Sequence, residues 1–141
     1  MEDTIIENGH LIEEDGIITA YGEGKGPAGL NASTIDGRGL YLSPGFVDIH
    51  THGSGGHDYM DGSEEAFRGA AKAHMRFGAT TILPTTLSST DEDLYRALDI
   101  FKRVKSTTTG LPHLPGLHLE GPYFSVKEKG AMEERHLKLP E

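Results

Sequence analysis

The chain contains no cysteine among its 141 residues. That excludes a disulfide framework, a thiolate nucleophile and a thiolate metal site. Any bound metal must sit on His, Asp, Glu or water. Basic residues are also scarce: 13 Lys and Arg stand against 22 Asp and Glu, for a net charge of −9. No basic stripe is present, which argues against nucleic-acid binding; the acidic balance speaks mainly to solubility. No apolar run approaches the ~18–20 residues of a membrane span. Met1-Glu2-Asp3-Thr4 lacks a basic start followed by an apolar stretch, so no secretory signal is read and the expected location is cytoplasmic. Apolar residues are few, at 35%.

Glycine, by contrast, is plentiful. There are 19, roughly twice the typical ~7% share, which implies many tight turns and close backbone approaches. The length suits one ordinary domain, but the pattern changes near residue 43. Residues 1–43 read as short β-prone pieces (Thr4–Glu7, Leu11–Ile12, Ile17–Tyr21, Leu40–Leu42) between turn signals. Asn8-Gly9 is the favoured hairpin turn. Residues 44–141 read instead as strands alternating with helices, with no internal repeat and no coiled-coil heptad.

The first strand of that second part is Phe46–Ile49, bounded by Pro44-Gly45 and by Gly53-Ser54-Gly55-Gly56. A helix follows, capped by Ser63 with Glu64 and Glu65 in its first turn. Ala66, Phe67, Ala70, Ala71, His74 and Phe77 form its stripe, and Gly78 stops it. On that stripe, His74 reads as packed or hydrogen-bonded. Thr80–Leu83 is the next strand, expected to end at Pro84. Thr90 caps a second helix with an acidic start at Asp91, Glu92 and Asp93, an apolar face of Leu94, Leu98, Phe101 and Val104, and a basic end. Leu117-His118-Leu119-Glu120 is the third strand. Strand–helix–strand–helix–strand with short links predicts parallel strands.

Side chains alternate along a strand, so Asp48, His50 and His52 share one face, as do His118 and Glu120. Imidazole is a common ligand for zinc, iron or nickel. His-x-His alone is a weak signal, since two strand-end histidines also occur without a metal. Glu120 is costly on an apolar strand unless it binds a cation, pairs with a Lys or Arg, or lies exposed at the tip. Two histidines and a carboxylate at strand ends form a stronger signal than any pair. His118 lies deeper, where a structural hydrogen bond is the favoured reading. His57, Asp58 and Asp61 fall in or beside the glycine-rich loop, read equally as a close approach to substrate and as a solvated turn.

The run Pro44-Gly45-Phe46-Val47-Asp48-Ile49-His50-Thr51-His52-Gly53 resembles the first barrel strand of the amidohydrolase superfamily. The segment Gly116-Leu117-His118-Leu119-Glu120-Gly121-Pro122-Tyr123, followed by Lys127-Glu128-Lys129-Gly130-Ala131, resembles the N-acetylglucosamine-6-phosphate deacetylase family. The resemblance implies an α/β fold: the N-terminal portion of a TIM-type (β/α)8 barrel over 44–141, preceded by part of a small β-sandwich over 1–43. It implies a divalent metal, zinc first, with iron or another divalent ion open. Glu120 is the implied principal ligand, and His50 and His52 the ligands of a second metal. Ala131 and Met132 are the implied sugar contacts, although Met132 replaces the family's usual His or Gln and cannot offer a side-chain hydrogen-bond donor. The implied reaction hydrolyses N-acetylglucosamine 6-phosphate to glucosamine 6-phosphate and acetate in amino-sugar catabolism. The complete enzyme is expected to be a homodimer binding a small amino-sugar phosphate, with no nucleic acid and no membrane. A barrel of this kind needs roughly 200–250 residues. The 141 residues are therefore expected to be an N-terminal piece without the later ligands and general base, inactive alone. Two other readings stand beside this one: a dihydroorotase-like or aminoacylase-like amidohydrolase, and a non-catalytic metal-binding scaffold.

Overall fold

A computed structural model describes residues 5–140. The described chain falls into two compact units, one ending at Ser43 and one beginning at Pro44.

In the first unit, β1 (Gly9–Glu14) and β2 (Ile17–Glu23) pair antiparallel. The turn joining them is Asp15-Gly16, not Asn8-Gly9. Both Asp15 (φ 52°) and Gly16 (φ 81°) take the left-handed conformation that a two-residue hairpin turn requires. Asn8 is also left-handed, but it turns the chain into β1 rather than joining paired strands. Of the expected Thr4–Glu7 piece, Thr4 lies outside the described residues, and Ile5–Glu7 is not strand. Leu40–Leu42 is not strand either; its three apolar side chains are exposed.

The second unit is built on β3 (Phe46–Thr51), β4 (Gly53–Ser54), β5 (His57–Asp58), α1 (Glu64–Arg76), β6 (Ala79–Thr86), α2 (Asp91–Lys105) and β7 (His118–Leu119). Short 3-10 turns follow at Val126–Glu128 and Glu134–His136. The main sheet is parallel, in the order β3-β6-β7, so strands successive along the βα units are neighbours.

Both helices start and stop where their chemistry dictates. Ser63 Oγ accepts the Ala66 N–H at 3.1 Å, and Gly78 (φ 93°) follows the Phe77 cap. Thr90 Oγ1 accepts the Asp93 N–H at 3.2 Å and donates to Asp93 Oδ2 at 2.8 Å. Those hydroxyl hydrogen bonds, from Thr90 and then Ser89, hold the Asp93 carboxyl below its ordinary range. Arg103 Nε and Glu64 Oε1, 2.6 Å apart, tie the end of α2 to the start of α1.

The core gathers Phe67, Ala70 and Ala71 of α1, Ile100 and Val104 of α2, Ile82 of β6, and Tyr59 and Leu114 from the connections. As the middle strand, β6 is buried along most of its length, whereas β3 at the edge exposes Phe46, Val47 and Ile49.

Against expectation, β6 does not end at Pro84. Pro84 faces Thr51 where the β3–β6 register shifts, and the Thr51 N–H donates to Thr85 Oγ1 at 2.9 Å. The pairing with Thr51 thus continues across the one residue of β6 that has no N–H to give, and a side-chain hydroxyl adds to it. The third strand is shorter than the expected Leu117–Glu120. On this side β6 meets the chain twice, at the isolated bridge Thr81–His113 and in the β7 pairs Thr85–His118 and Thr86–Leu119.

Core burial predicts a sharp contrast between two positions. Ile82 is fully buried, so Ile82→Ala should destabilise the chain by about 2–5 kcal/mol in urea titration. Phe46 is 71% exposed, and Phe46→Ala should cost no more than about 0.5 kcal/mol.

Candidate metal centre

Three ligand-type side chains meet at the C-terminal ends of β3 and β7. His50 and His52 project from the same face of β3 and its continuation, and Glu120 follows β7 directly. Their donor atoms form a triangle. His50 Nε2 lies 3.3 Å from His52 Nε2 and 3.0 Å from Glu120 Oε2, and His52 Nε2 lies 2.9 Å from the same oxygen. Tetrahedral donors ~2.0–2.1 Å from one ion stand roughly 3.3–3.4 Å apart; the edge between the imidazoles matches that, and the two edges to Glu120 are shorter. The donor set, two imidazole nitrogens and one carboxylate oxygen, suits zinc or another borderline divalent ion. The ligand sets expected for two metals meet at a single carboxylate oxygen.

Among the described residues the ion-pair partners of Glu120 are these two imidazoles; no lysine or arginine neutralises it. The carboxylate is 24% exposed, and His50 and His52 are 45% and 35% exposed. The rim is therefore partly shielded yet open to a ligand.

The surroundings hold these groups in place. His118 Nδ1–H donates to the Ile49 carbonyl at 2.8 Å, and its ring stands 4.5 Å from that of His50. It acts by hydrogen bonding and packing, as expected for a residue one step deeper. His74 is likewise hydrogen-bonded: Nε2 lies 2.8 Å from Thr51 Oγ1 and 3.2 Å from the Gly53 carbonyl. The His50 N–H donates to Asp48 Oδ1 at 3.1 Å. Behind Glu120, Ser88 Oγ donates to the Glu120 carbonyl at 3.3 Å. Sequence reasoning missed the parts played by Thr51, Thr85 and Ser88. The available signal was a run of hydroxyl residues, Thr85, Thr86 and Ser88, in a stretch that is otherwise core.

The glycine-rich loop after His52 is a tight hairpin. Here β4 pairs antiparallel with β5 across Gly55-Gly56, both at positive φ. A Cβ on Gly53 would collide with the His57 carbonyl. The Tyr59 N–H returns to the His52 carbonyl at 2.9 Å. Burial, then the charges of Asp48 and Asp58, push the Tyr59 phenol above its ordinary range, so it stays protonated. His57, Asp58 and Asp61 do not join the donor triangle. They line an open groove beside His52, with Ser54 and Gly56.

Ala131 is exposed. Met132 is 5% exposed and turned inward, and its sulfur accepts the Ser88 N–H at 3.4 Å. Its backbone is engaged as well: the N–H donates to the Lys129 carbonyl at 3.1 Å, and the carbonyl accepts from Lys129 Nζ at 2.8 Å.

Parallel strands joined by helices, with imidazoles and a carboxylate gathered at one rim, define an α/β protein with a candidate metal site. In particular, it is related over most of its own length to the N-acetylglucosamine-6-phosphate deacetylases. No family model matches it. The deacetylase of Caenorhabditis elegans is 32% identical over 136 residues, covering 92% of this chain and 31% of the relative. The crystal structure of the Pasteurella multocida deacetylase matches with a TM-score of 0.82 at 28% identity, covering 96% of this chain and 35% of that one. A mutant of the Mycobacterium smegmatis deacetylase, solved in complex with N-acetyl-D-glucosamine-6-phosphate, matches with a TM-score of 0.73 at 27% identity, over 94% of this chain and 33% of that one. The chain thus spans about a third of the length of these relatives.

The setting of Glu120 predicts an asymmetry between two glycines. Gly121 has φ 95°, and a Cβ there would collide with Ser88 Oγ; Gly130 has φ 58° and open space around it. Gly121→Ala should lower stability by about 1–3 kcal/mol and Gly130→Ala by about 1 kcal/mol or less, read from urea midpoints.

Proposed function

We propose that this chain carries part of the metal site of a deacetylase that hydrolyses N-acetylglucosamine 6-phosphate to glucosamine 6-phosphate and acetate. The observation that carries the reading is the donor triangle His50, His52 and Glu120, set at the strand ends of a chain related to enzymes of that name. The consecutive parallel order β3-β6-β7 fits the first βα units of a (β/α)8 barrel, and residues 1–43 fit part of a flanking β-sandwich. A divalent ion, zinc by preference, would supply Lewis acidity and a water made nucleophilic at neutral pH.

The chain's own residues have distinct tasks in this reading. Glu120 would hold the ion through Oε2, and its negative charge offsets that of the cation. His50 and His52 would coordinate as neutral imidazoles through Nε2, with His50 braced by the ring of His118. The groove lined by Gly53, Ser54, His57 and Asp58 gives an extended polar ligand a place beside the rim. Ala131 is the proposed contact to the sugar in its segment, since the sulfur and backbone of Met132 are already engaged. A homodimeric, cytoplasmic enzyme completes the proposal. No helix among the described residues is long and apolar enough to cross a membrane. Because the matched relatives are about three times as long, the 141 residues alone are proposed to be inactive and to hold metal weakly.

Two measurements test the reading. Zinc or cobalt titration of the 141-residue chain should give weak binding that disappears in His52→Ala and in Glu120→Gln. In the longer protein carrying this segment, acetate release from N-acetylglucosamine 6-phosphate should exceed hydrolysis of dihydroorotate or N-acyl amino acids, and Glu120→Gln should abolish it. Metal binding indifferent to both substitutions, or a preference for the other amides, would refute the proposal.

A further inference from the structure

The two proposed histidine ligands flank Thr51, and Thr51 is gripped from both sides. Its N–H donates to Thr85 Oγ1 of β6 at 2.9 Å, and Thr85 Oγ1 donates onward to the Leu83 carbonyl at 3.2 Å. The Thr51 hydroxyl meets His74 Nε2 of α1 at 2.8 Å. The same nitrogen stands 3.2 Å from the Gly53 carbonyl, which can only accept, so His74 Nε2 carries the proton and spans both acceptors. On its other side, Nδ1 faces Asp48 Oδ2 at 4.0 Å, while Asp48 Oδ1 accepts the His50 N–H. One partly buried imidazole thus touches or faces residues 48, 51 and 53, and residues 50 and 52 lie between them.

This arrangement coincides with a weak point in the sheet. The β3–β6 register shifts between Asp48 and Thr51, opposite a proline that cannot donate. The ladder is therefore irregular at His50 and resumes at Thr51, the last residue of β3 before His52. Side chains reinforce it there: Thr85 from the neighbouring strand and His74 from the helix.

We propose that His74 is a positioning residue for the metal centre. It clamps the end of β3 through Thr51 and Gly53, so that His50 and His52 keep their Nε2 atoms directed at Glu120. The inference rests on the proposed metal site, but its structural content stands without a metal. Removing an outer partner of a ligand typically costs about 10–100-fold in metal affinity. A residue serving α1 alone would not have that effect.

The test uses the full 141-residue chain with four single variants and one double. His74→Leu and Thr51→Val should each weaken zinc binding ~10–100-fold in direct titration. The double variant should lose no more than either single, because both cut one link. His74→Gln, which keeps an N–H in reach, should recover most of the affinity. Ala71→Gly, which loosens α1 at a buried position but leaves the hydrogen-bonding groups of His74 and Thr51 intact, should lower thermal stability with little change in affinity. A metal-free readout separates this inference from the function proposed above. Amide exchange at Thr51, His52 and Gly53 should accelerate in His74→Leu and Thr51→Val, with exchange at Ile82 unchanged. Unaltered exchange at those three amides overturns the clamp, as does affinity loss in Ala71→Gly equal to that in His74→Leu. Absence of any zinc binding by the unmodified chain, with accelerated exchange in the two variants, overturns the metal site and leaves the clamp standing.

Discussion

Glu120 lies seventy positions from His50 along the chain, and their functional atoms lie 3.0 Å apart. Strand β6 makes that meeting possible. It pairs parallel with β3 on one side and β7 on the other, so all three strands finish at the same rim. The two connecting helices must pack on the sheet for this to hold. Their small residues, Ala70 and Ala71, let α1 approach closely, while Phe67, Ile100, Val104 and Ile82 fill the space between. The geometry of the rim is thus inherited from a core made largely of side chains that never reach it.

Gathering a carboxylate and two imidazoles has an electrostatic consequence. Glu120 is mostly shielded from solvent, and no lysine or arginine among the described residues compensates it. A partly buried anion in that position is stabilised by protonated imidazole or by a cation. The relatives named as deacetylases, the convergence of the three donor atoms and the uncompensated carboxylate point the same way. Each comes from a separate kind of observation.

Much of this was legible in the sequence because the signals were local. Ser63, Thr90 and Gly78 mark helix ends through hydrogen bonds a few residues long, and both helices begin and end where those residues place them. Alternation along a strand was enough to put His50 and His52 on one face. The departures have physical causes too. Pro84 reads as a terminator only if the ladder needs its missing N–H, and the pairing with Thr51 continues across it. Asn8-Gly9 and Asp15-Gly16 are both good turn pairs, and local chemistry does not say which one joins paired strands. The inward turn of Met132 depends on Ser88, forty-four residues away, and no pattern in the chain announces it. Long-range hydrogen bonds of this kind, His74 to Thr51 among them, are where reading residues in order reaches its end.

The ring of His57 rests in a notch on α1 left by Gly69, where even a methyl group would strike the imidazole. Helix interiors seldom favour glycine, which loosens them by about 1 kcal/mol relative to alanine. The vacancy makes the helix a mould for the hairpin wall beside the rim. Filling it would force the imidazole, and the hairpin wall that carries it, away from α1, so the groove beside His52 can be reshaped from behind, by a residue that does not line it.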